Sequence, residues 1–468
     1  MSHDSFINDI HPLVRSFFPG EDVRSHREPS PLTPPATFHI QIERDGEEIL
    51  SLSLPDETEN ARLRMKNILK CAVYRELSRK TGVELPWGTL SGIRPARLAL
   101  NKLKEGASFD GTVSWMEDYY LVSKEKAELA VSIAERELKI IRKYEDPGSF
   151  SLYVGIPFCP STCLYCSFPS NAIGKWKDRV GEYLHCLEKE LKAVSEIFKG
   201  KKLLTLYIGG GTPTTLNSRE LKRLFDCINL YFDLSYLKEF TVEAGRPDSI
   251  DRERLKVLKE YSVDRISVNP QSMNQKTLDL IGRKHTVEDT IRAFNLCREM
   301  GFDNINMDMI LGLPNENEED VAHTLSEISF LRPDDLTIHS LALKRGSALL
   351  ENIEKYGYEC MKNNEAVMKL SEDAAKEMGL LPYYIYRQKN MSGNFENTGW
   401  ARPGKEGLYN IFMMEEAHSI PAVGAGTVSK AVFGPNDIRR CGNVKNISEY
   451  LERTDGMIER KMRLYAGK

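Results

Sequence analysis

Three cysteines at positions 159, 163 and 166 constrain this chain more than any other feature of its sequence. They have the spacing C-x3-C-x2-C and directly follow a short apolar run at residues 153–158. Thiolates are the usual protein ligands of iron–sulfur clusters, and three on one loop can bind three irons of a four-iron cluster. The fourth iron then stays open to a ligand that the protein does not supply. We therefore predict that Cys159, Cys163 and Cys166 bind a [4Fe–4S] cluster.

Zinc binding and simple burial are the two alternatives for these cysteines. A closed structural zinc site needs a fourth Cys or His nearby, and residues 167–171 read Ser-Phe-Pro-Ser-Asn. Free cysteines are also often buried in a core without any ligand. Three cysteines at this spacing after a strand-like run are more typical of a ligand set than of core residues.

The composition indicates an ordinary globular protein with more than one domain. Its 468 residues are too many for one core, and 41% of them are hydrophobic. No apolar run approaches the roughly 20 residues that a membrane helix needs. The net charge of −4 gives no general attraction to nucleic acid, and most cysteines are scattered singly, as in a reducing cytoplasm. We expect a cytoplasmic protein without a membrane span or a nucleic-acid partner.

The pattern of the chain changes twice, which predicts three parts. Residues 1–146 contain two alternating segments around Asp45-Gly46, a hairpin signal, and two helical stretches, and are predicted to form an N-terminal α/β domain. In residues 147–345 a strand, a loop and a helix alternate repeatedly, which is typical of a parallel sheet with right-handed crossovers. Residues 346–468 lack this repeat and are predicted to form a mainly helical region that covers the substrate.

The repeat in the middle part predicts a partial (βα)6 barrel, an α/β fold. The predicted strands are residues 152–156, 204–208, 239–243, 264–268, 305–311 and 336–341. In barrels of this kind the active site lies at the C-terminal ends of the strands. The cysteines follow the first strand, so the predicted cluster lies at that end.

The cysteine loop and its flanks resemble the radical S-adenosylmethionine (SAM) enzymes, and among them the coproporphyrinogen oxidase/dehydrogenase branch. Tyr153 before the loop and Tyr165 within it match that branch. The HemZ type is the most similar, through residues 90–97, 382–391 and 396–400. The resemblance implies a partial radical-SAM barrel, a [4Fe–4S] cluster and SAM as cofactors, and an electron donor as a partner.

The resemblance also implies roles for residues at the predicted strand ends. Glu243 is expected to meet the ammonium or sulfonium group of SAM, and Arg283 its carboxylate, through a bidentate fork. Asp308 is expected to bind the ribose, with Gln271 sharing it, and the glycine-rich turn 209–212 the methionine portion. The residues implied to contact SAM are Tyr153, Tyr165, Gly210, Gly211, Thr212, Glu243, Gln271, Arg283, Asp308 and Leu341.

The activity implied by the resemblance is the oxygen-independent conversion of coproporphyrinogen III to protoporphyrinogen IX in haem biosynthesis. A 5′-deoxyadenosyl radical derived from SAM removes hydrogen from the β-carbon of a propionate, and loss of CO2 and one electron leaves a vinyl group. A porphyrinogen with four carboxylates requires cations, and its large ring system suits aromatic walls. The candidate substrate residues are Tyr384, Arg387 and Arg402, in a segment that also contains Tyr383, Tyr386 and Lys389.

One position departs from the best-known oxidases of this branch. They carry a further cysteine two residues after the third, where this chain has Phe168. Related haem chaperones also have Phe there, although they usually carry a Tyr-Trp pair where this chain has Gly399-Trp400. A haem chaperone of the same branch is therefore the alternative function. A radical enzyme acting on haem or tRNA is a third, and the acidic charge balance disfavours tRNA.

Overall fold

The computed structural model describes residues 6–18, 21–25, 37–55, 62–91, 94–168, 171–344, 346–357, 361, 363–388, 391, 395–435 and 437–467. The chain forms two compact units, each built from two segments. The first unit comprises Met1–Arg136 and Ile385–Glu396, and the second comprises Glu137–Tyr384 and Asn397–Lys468. This grouping differs from the three parts expected from the sequence, because most of residues 346–468 belong to the same unit as the strand–helix repeat.

The first unit contains a β-hairpin and a set of helices. Its elements are α1 (Ile7–Phe17), β1 (Thr37–Arg44), β2 (Glu47–Pro55), α2 (Arg62–Thr81), α3 (Pro95–Lys104), α4 (Phe109–Tyr120) and the first part of α5 (Lys124–Lys143). β1 and β2 pair antiparallel. Asp45 and Gly46 between them have φ angles of 53° and 83°, as the predicted type I′ hairpin turn requires.

The second unit begins with the strand–helix repeat. The repeat contains β3 (Ser149–Ile156), β4 (Phe158–Cys159), β5 (Asn171–Ala172), α6 (Val180–Ile197), β6 (Lys202–Gly210), α7 (Ser218–Tyr231), β7 (Glu239–Val242), α8 (Arg252–Glu260), β8 (Arg265–Ser267), α9 (Gln275–Leu280), α10 (Val287–Glu299), β9 (Ile305–Leu311), α11 (Glu318–Leu331) and β10 (Asp335–Ser340). The predicted cap of α7 is present: Asn217 and Glu220 form a capping box.

The rest of the second unit mixes helices and strands. These elements are α12 (Ala348–Glu351), α13 (Ile353–Tyr356), α14 (Glu365–Glu377), β11 (Leu381–Tyr386), β12 (Asn397–Ala401), α15 (Leu408–Met414), β13 (Ala422–Val423), β14 (Val428–Gly434), β15 (Asp437–Gly442) and α16 (Ile447–Tyr465). Short 3-10 helices lie at Ile173–Lys175, Lys177–Arg179, Pro213–Thr215 and Pro247–Ser249.

One open sheet organises this unit. Its strand order is β11-β12-β10-β9-β8-β7-β6-β3-β13. The six strands β10, β9, β8, β7, β6 and β3 are mutually parallel and have helices between them, so the six predicted strand–helix units are confirmed. The outer strands β11 and β13 do not pair with each other within the described part of the chain, and the barrel is therefore not closed.

The C-terminal region is less helical than predicted. β12 pairs antiparallel with β10, and β13 pairs parallel with β3, so both extend the central sheet. β14 and β15 form a separate hairpin. Strands of this kind depend on their partners for stability more than on their own residues, which is why the local pattern does not predict them.

Candidate functional site

The three-cysteine loop, residues 159–166, starts at the C-terminal end of β3. Cys159 lies in β4, which pairs with β5, and the N–H of Cys166 donates to the carbonyl of Cys163 at 3.1 Å. None of the three sulfurs forms a disulfide bond with another described residue, and all three side chains are half-buried. The hydroxyl of Thr212 donates to Cys159 Sγ at 3.6 Å. A Cβ on Gly211 would lie 3.0 Å from that sulfur and 2.5 Å from a backbone oxygen, so only glycine fits there.

Neighbouring loops hold the three-cysteine loop from outside. The hydroxyl of Ser161 donates to the carbonyl of Gly282, which follows α9, at 3.2 Å. Arg246, which follows β7, donates from Nη1 to the carbonyl of Ser161 at 3.3 Å and to Cys163 Sγ at 3.6 Å. Residues of two other loops, one after β7 and one after α9, therefore fix the position of the cysteines.

The loop suits a cluster rather than one metal ion. Across the described ranges, no three or more His, Cys, Asp or Glu side chains are grouped as ligands of a single ion. In a [4Fe–4S] cluster each thiolate binds a different iron, so the sulfurs stand further apart than the ligands of one ion. Three cysteines on one loop, N–H and O–H donors at two sulfurs, and the absence of a side chain at Gly211 all fit such a cluster.

Polar residues occupy alternate positions of the neighbouring strands. Residues two apart in a strand point to the same face, and in register Tyr153 is opposite Tyr207 while Thr337 is opposite Asp308. Polar residues in these alternating rows include Tyr153 on β3, Tyr207 on β6, Thr241 on β7, Asn306 and Asp308 on β9, and Thr337 and His339 on β10. Only Tyr153 and Asp308 among them are predicted from the sequence as site residues, although the period of two was a usable signal.

Glu243 follows β7 and contacts the glycine-rich turn. It accepts hydrogen bonds from the Tyr207 hydroxyl at 2.6 Å and from the Gly210 N–H at 3.1 Å. A Cβ on Gly209 would lie 2.8 Å from the Glu243 carboxyl group, so this glycine makes room for the carboxylate. Burial, aided by the negative charge of Asp308, raises the pKa of Glu243 to about 7, although both hydrogen bonds oppose the shift. Glu243 therefore changes charge near neutral pH.

Asp308 remains ionised within the same group of residues. It accepts hydrogen bonds at 2.7 Å from the side-chain amides of both Asn306 and Asn269, and His339 Nε2 lies 3.7 Å away. Burial acts to raise the pKa of Asp308, but hydrogen bonds, with that of His339 first among them, outweigh it and lower the pKa. The backbone N–H of Gln271, whose φ is 67°, donates to the Asp308 carbonyl at 2.9 Å. The structure thus brings Gln271 and Asp308, both predicted as site residues, into contact.

Arg283 is buried and already makes several hydrogen bonds. It donates to the Tyr165 hydroxyl at 3.2 Å, the Gly245 carbonyl at 2.9 Å and the Asn269 carbonyl at 2.7 Å. A bidentate fork needs two N–H groups on one side of the guanidinium, and both Nη atoms are used here to join loops. The expected contact of Arg283 with the SAM carboxylate stays a prediction. Its Nε is the guanidinium atom that has no hydrogen-bond partner among the described residues.

Three buried polar atoms, on residues that follow β8 or contact that segment, have unused hydrogen-bonding capacity. They are Arg283 Nε, Asn269 Oδ1 and Gln271 Oε1, none of which has a partner in the described part of the chain. Burying a polar atom without a hydrogen bond costs about 1–3 kcal/mol. Because donors and acceptors occur together, a polar ligand such as SAM fits this place. Asn269 was not predicted from the sequence as a site residue, although it lies just beyond β8 and two residues before Gln271.

Aromatic and apolar side chains complete the surroundings of the site. The ring of Tyr153 stacks at 5.9 Å on Tyr207 and at 6.1 Å on Tyr409, which belongs to α15. Leu341 is buried in an apolar cluster against which Tyr165 also packs. Tyr409 was not predicted, because it lies more than 150 residues beyond the strands it contacts.

The predicted substrate residues Tyr384, Arg387 and Arg402 all have contacts within the protein. The Tyr384 ring is buried and fills the space beside Gly399, where a Cβ would lie 1.8 Å from it. Its hydroxyl donates to Thr337 Oγ1 at 3.4 Å. Tyr384 is thus a packed core residue, and the absence of a side chain at Gly399 makes its position possible.

The two arginines contact other residues of their own units. Arg387 lies in the first unit, where it donates to a backbone carbonyl and its guanidinium is 5.5 Å from the centre of the Trp87 ring. Burial lowers the pKa of Arg387 to about 10. Arg402 follows β12, whose last residue is opposite the first residue of β10, and it pairs with Asp334 at 3.9 Å. Arg402 is therefore at the end of the sheet opposite the three-cysteine loop. Lys389, from the same segment, lies outside the described residues.

Comparison with known proteins identifies the family. Residues 153–328 match the model of the Radical SAM superfamily. The chain is also 41% identical, over 418 residues, to the oxygen-independent coproporphyrinogen-III oxidase-like protein HemZ of Bacillus subtilis; the match covers 87% of this chain and 83% of that protein. This chain belongs to the radical SAM superfamily. Its cofactors are therefore a [4Fe–4S] cluster and SAM, as in that superfamily.

Two further similarities bear on the branch. The heme chaperone HemW of Bacillus subtilis is 37% identical over 208 residues, which cover 44% of this chain and 54% of the chaperone. The solved structure of coproporphyrinogen III oxidase HemN from Escherichia coli superposes with a TM-score of 0.53 at 22% identity, over 69% of this chain and 72% of that one. The second match shows that the fold is shared. Within the described residues, no helix is both long and apolar enough to span a membrane.

Proposed function

We propose that this protein catalyses the oxygen-independent oxidative decarboxylation of coproporphyrinogen III to protoporphyrinogen IX. The observation that carries the proposal is the similarity to the coproporphyrinogen-III oxidase-like protein HemZ, which extends over most of both chains. It includes regions outside the superfamily model, where substrate recognition is expected to differ between members. An electron donor is part of the proposal as a partner.

Cys159, Cys163 and Cys166 hold the cluster in this proposal, and SAM occupies the polar strand ends beside it. When bound, the two cofactors supply the one-electron chemistry that removes a hydrogen atom from a propionate side chain. Glu243 is the partner of the SAM ammonium group, and its carboxylate is held in place by Tyr207. Asp308 is ionised and accepts hydrogen bonds from the ribose hydroxyls.

The buried side chains around the polar residues exclude water from the reaction. Tyr153 stacks on Tyr207 and Tyr409, and Leu341 closes another side with its apolar cluster. Radical intermediates react with other groups when a site is open, so a closed site protects them. Tyr207 also holds Glu243 through its hydroxyl group.

Lys344 is a further candidate cation for a substrate carboxylate. It follows β10, at the same end of the sheet as the three-cysteine loop, and its ammonium group lies 5.6 Å from the centre of the Phe168 ring. Phe168 is 66% exposed. A cation beside an exposed aromatic ring suits a carboxylate attached to a flat ring system.

Anaerobic reconstitution tests the proposal. The cluster-loaded protein is supplied with coproporphyrinogen III, SAM and a chemical reductant, and we expect CO2 and vinyl-containing porphyrin in amounts that grow with the SAM consumed. A variant with all three loop cysteines changed to Ala is the control and should give neither product. SAM cleavage without any CO2 from coproporphyrinogen would refute the decarboxylase proposal.

The alternative is a haem chaperone of the same branch. Phe168 and the similarity to HemW over part of the chain favour it. The same preparations distinguish the two functions when haem is added instead of coproporphyrinogen. Haem retained through denaturation and gel filtration, together with no CO2 release in the first assay, would establish the chaperone. Loss of all haem on denaturation would exclude covalent haem binding.

A further inference from the structure

Arg246 is buried directly beside one cysteine of the three-cysteine loop. Its side chain is 5% exposed and lies in the turn between β7 and α8. Nη1 is 3.6 Å from Cys163 Sγ, which is within hydrogen-bonding distance for a sulfur acceptor. The same guanidinium reaches the carbonyl of Ser161 at 3.3 Å and its hydroxyl at 3.2 Å. This arginine lies outside the set of residues expected to contact SAM.

Asp248 fixes the orientation of this guanidinium. Arg246 Nε and Nη2 donate to the two carboxylate oxygens of Asp248, each at 2.9 Å. A two-point contact of this kind holds the plane of the guanidinium, so that Nη1 points to the loop. His285 Nδ1 is also 3.9 Å from this carboxylate. Asp248 thus binds one edge of the guanidinium, through Nε and Nη2, and Nη1 is available to donate to Cys163 Sγ.

We propose that Arg246 is a positioning residue that sets the reduction potential of the cluster bound by Cys163. Reduction adds a negative charge to the cluster. A positive charge and an N–H donor at a cluster sulfur stabilise that added charge, and hydrogen bonds to the sulfurs and net charge are among the factors that set such potentials. Because Arg246 is nearly excluded from water, its field at the sulfur is weakly screened. The proposal does not depend on which substrate the protein uses.

The partner Asp248 gives the proposal a second, opposite consequence. Its negative charge partly cancels the field of Arg246 at Cys163. Removing that charge while keeping the arginine should therefore favour the reduced cluster, whereas removing the arginine should disfavour it. A purely structural role for the Arg246–Asp248 pair predicts no such opposition, because either change would simply loosen the loop.

The test measures the midpoint potential of the reconstituted cluster by electron paramagnetic resonance during a reductive titration, with SAM and substrate absent. Iron content is determined first for every variant. Arg246→Gln should shift the midpoint to more negative values, and Asp248→Asn should shift it to more positive values. Arg246→Lys keeps the positive charge but loses the two-point contact with Asp248. Its midpoint potential should lie between those of Arg246→Gln and the unaltered protein.

Arg254→Gln is the matched control. This arginine lies in α8 and donates to the carbonyl of Leu216 at 2.8 Å, and it does not touch the loop in any described contact. Its midpoint should equal that of the unaltered protein. An unchanged midpoint in Arg246→Gln with full iron, or shifts of the same sign in Arg246→Gln and Asp248→Asn, would overturn the proposal. If Arg246→Gln does not take up iron, Asp248→Asn decides: a positive shift supports the proposal, and no shift or a negative one refutes it.

Discussion

The pKa of Glu243 gives a sharp prediction for the pH dependence of SAM binding. In the ligand-free protein burial raises this pKa to about 7, so the carboxyl group is largely protonated in mildly acidic solution. SAM carries a sulfonium and an ammonium group, which interact more strongly with an ionised carboxylate than with a neutral carboxyl group. Binding is therefore favoured by loss of this proton, and the affinity should increase as the pH rises through 7.

The size of the effect follows from the ionised fraction. With a pKa of about 7, about one-tenth of Glu243 is ionised at pH 6 and about nine-tenths at pH 8. The contribution of Glu243 to the dissociation constant should then differ by roughly tenfold between these pH values, which is about 1.4 kcal/mol. The ionisation of SAM itself adds to the total dependence, so a comparison of proteins is needed.

Glu243→Gln provides that comparison because it removes the titrating group and keeps an acceptor for the Tyr207 hydroxyl. Binding of radiolabelled SAM to the cluster-loaded protein is measured by anaerobic equilibrium dialysis from pH 6 to pH 8. Glu260→Gln, at the exposed end of α8, is the matched control and should behave like the unaltered protein. Between pH 6 and pH 8, the dissociation constant of SAM should change about tenfold less for Glu243→Gln than for the unaltered protein. Equal pH profiles for Glu243→Gln and the unaltered protein would show that Glu243 does not contact SAM.

Three further predictions test other parts of the structure. Changing any one of the three loop cysteines to Ala should remove the brown absorbance and the iron, whereas Cys297→Ala should keep both; full iron retention in all three would refute the cluster assignment. Asp308→Asn should weaken SAM binding by tenfold or more, because hydrogen bonds to charged groups contribute about 1.5–3 kcal/mol; dialysis at pH 8 measures it, and an unchanged affinity would place the ribose elsewhere. Lys461→Met should lower the free energy of unfolding by about 3–5 kcal/mol, because it leaves Glu190, which is fully buried, without its cation; urea denaturation of the cluster-free protein measures this, and a change below about 1 kcal/mol would contradict it.

The central sheet could be predicted from the sequence because its signals are local. Each of the six parallel strands is a short, mainly apolar run, amphipathic helices lie between successive strands, and the structure contains all six strands. The outer strands were missed for the opposite reason. β13 is only two residues long and is defined by its partner, Tyr153 and Val154 on β3. Such a strand has no periodicity to detect.

The sequence could locate those candidate site residues that lie at or directly after the end of their own strand. Glu243 contacts the glycine-rich turn at Gly210, Asp308 contacts the backbone of Gln271, and the three cysteines lie at the predicted end of the sheet. Residues that reach the site from far along the chain were missed, as Tyr409 illustrates. Arg246 was missed for another reason: a turn arginine beside a strand is normally a solvated surface residue, and only its burial against Cys163 shows otherwise.

The prediction of the substrate residues rested on composition, which leaves two interpretations open. The segment around Arg387 is rich in tyrosine and basic residues, and composition alone cannot distinguish a ligand-binding wall from a packed core with internal cations. In the structure the apolar parts of these side chains pack inward: Tyr384 against Gly399 and Arg387 over Trp87. Long cationic side chains often pack their stems on aromatic rings in this way.

Phe168 shows how the cluster chemistry and the choice of substrate can change independently. The position is two residues beyond Cys166, yet its ring is 66% exposed and its contact is with Lys344 after β10. The three loop cysteines already leave one iron open, so a residue here has no ligand role to perform. A change between Cys and Phe at this place therefore alters the surface that a bound molecule meets, while the loop that carries the cluster stays the same. This is why membership of the superfamily fixes the cofactors of this protein, whereas its substrate must be argued from residues such as Phe168 and Lys344.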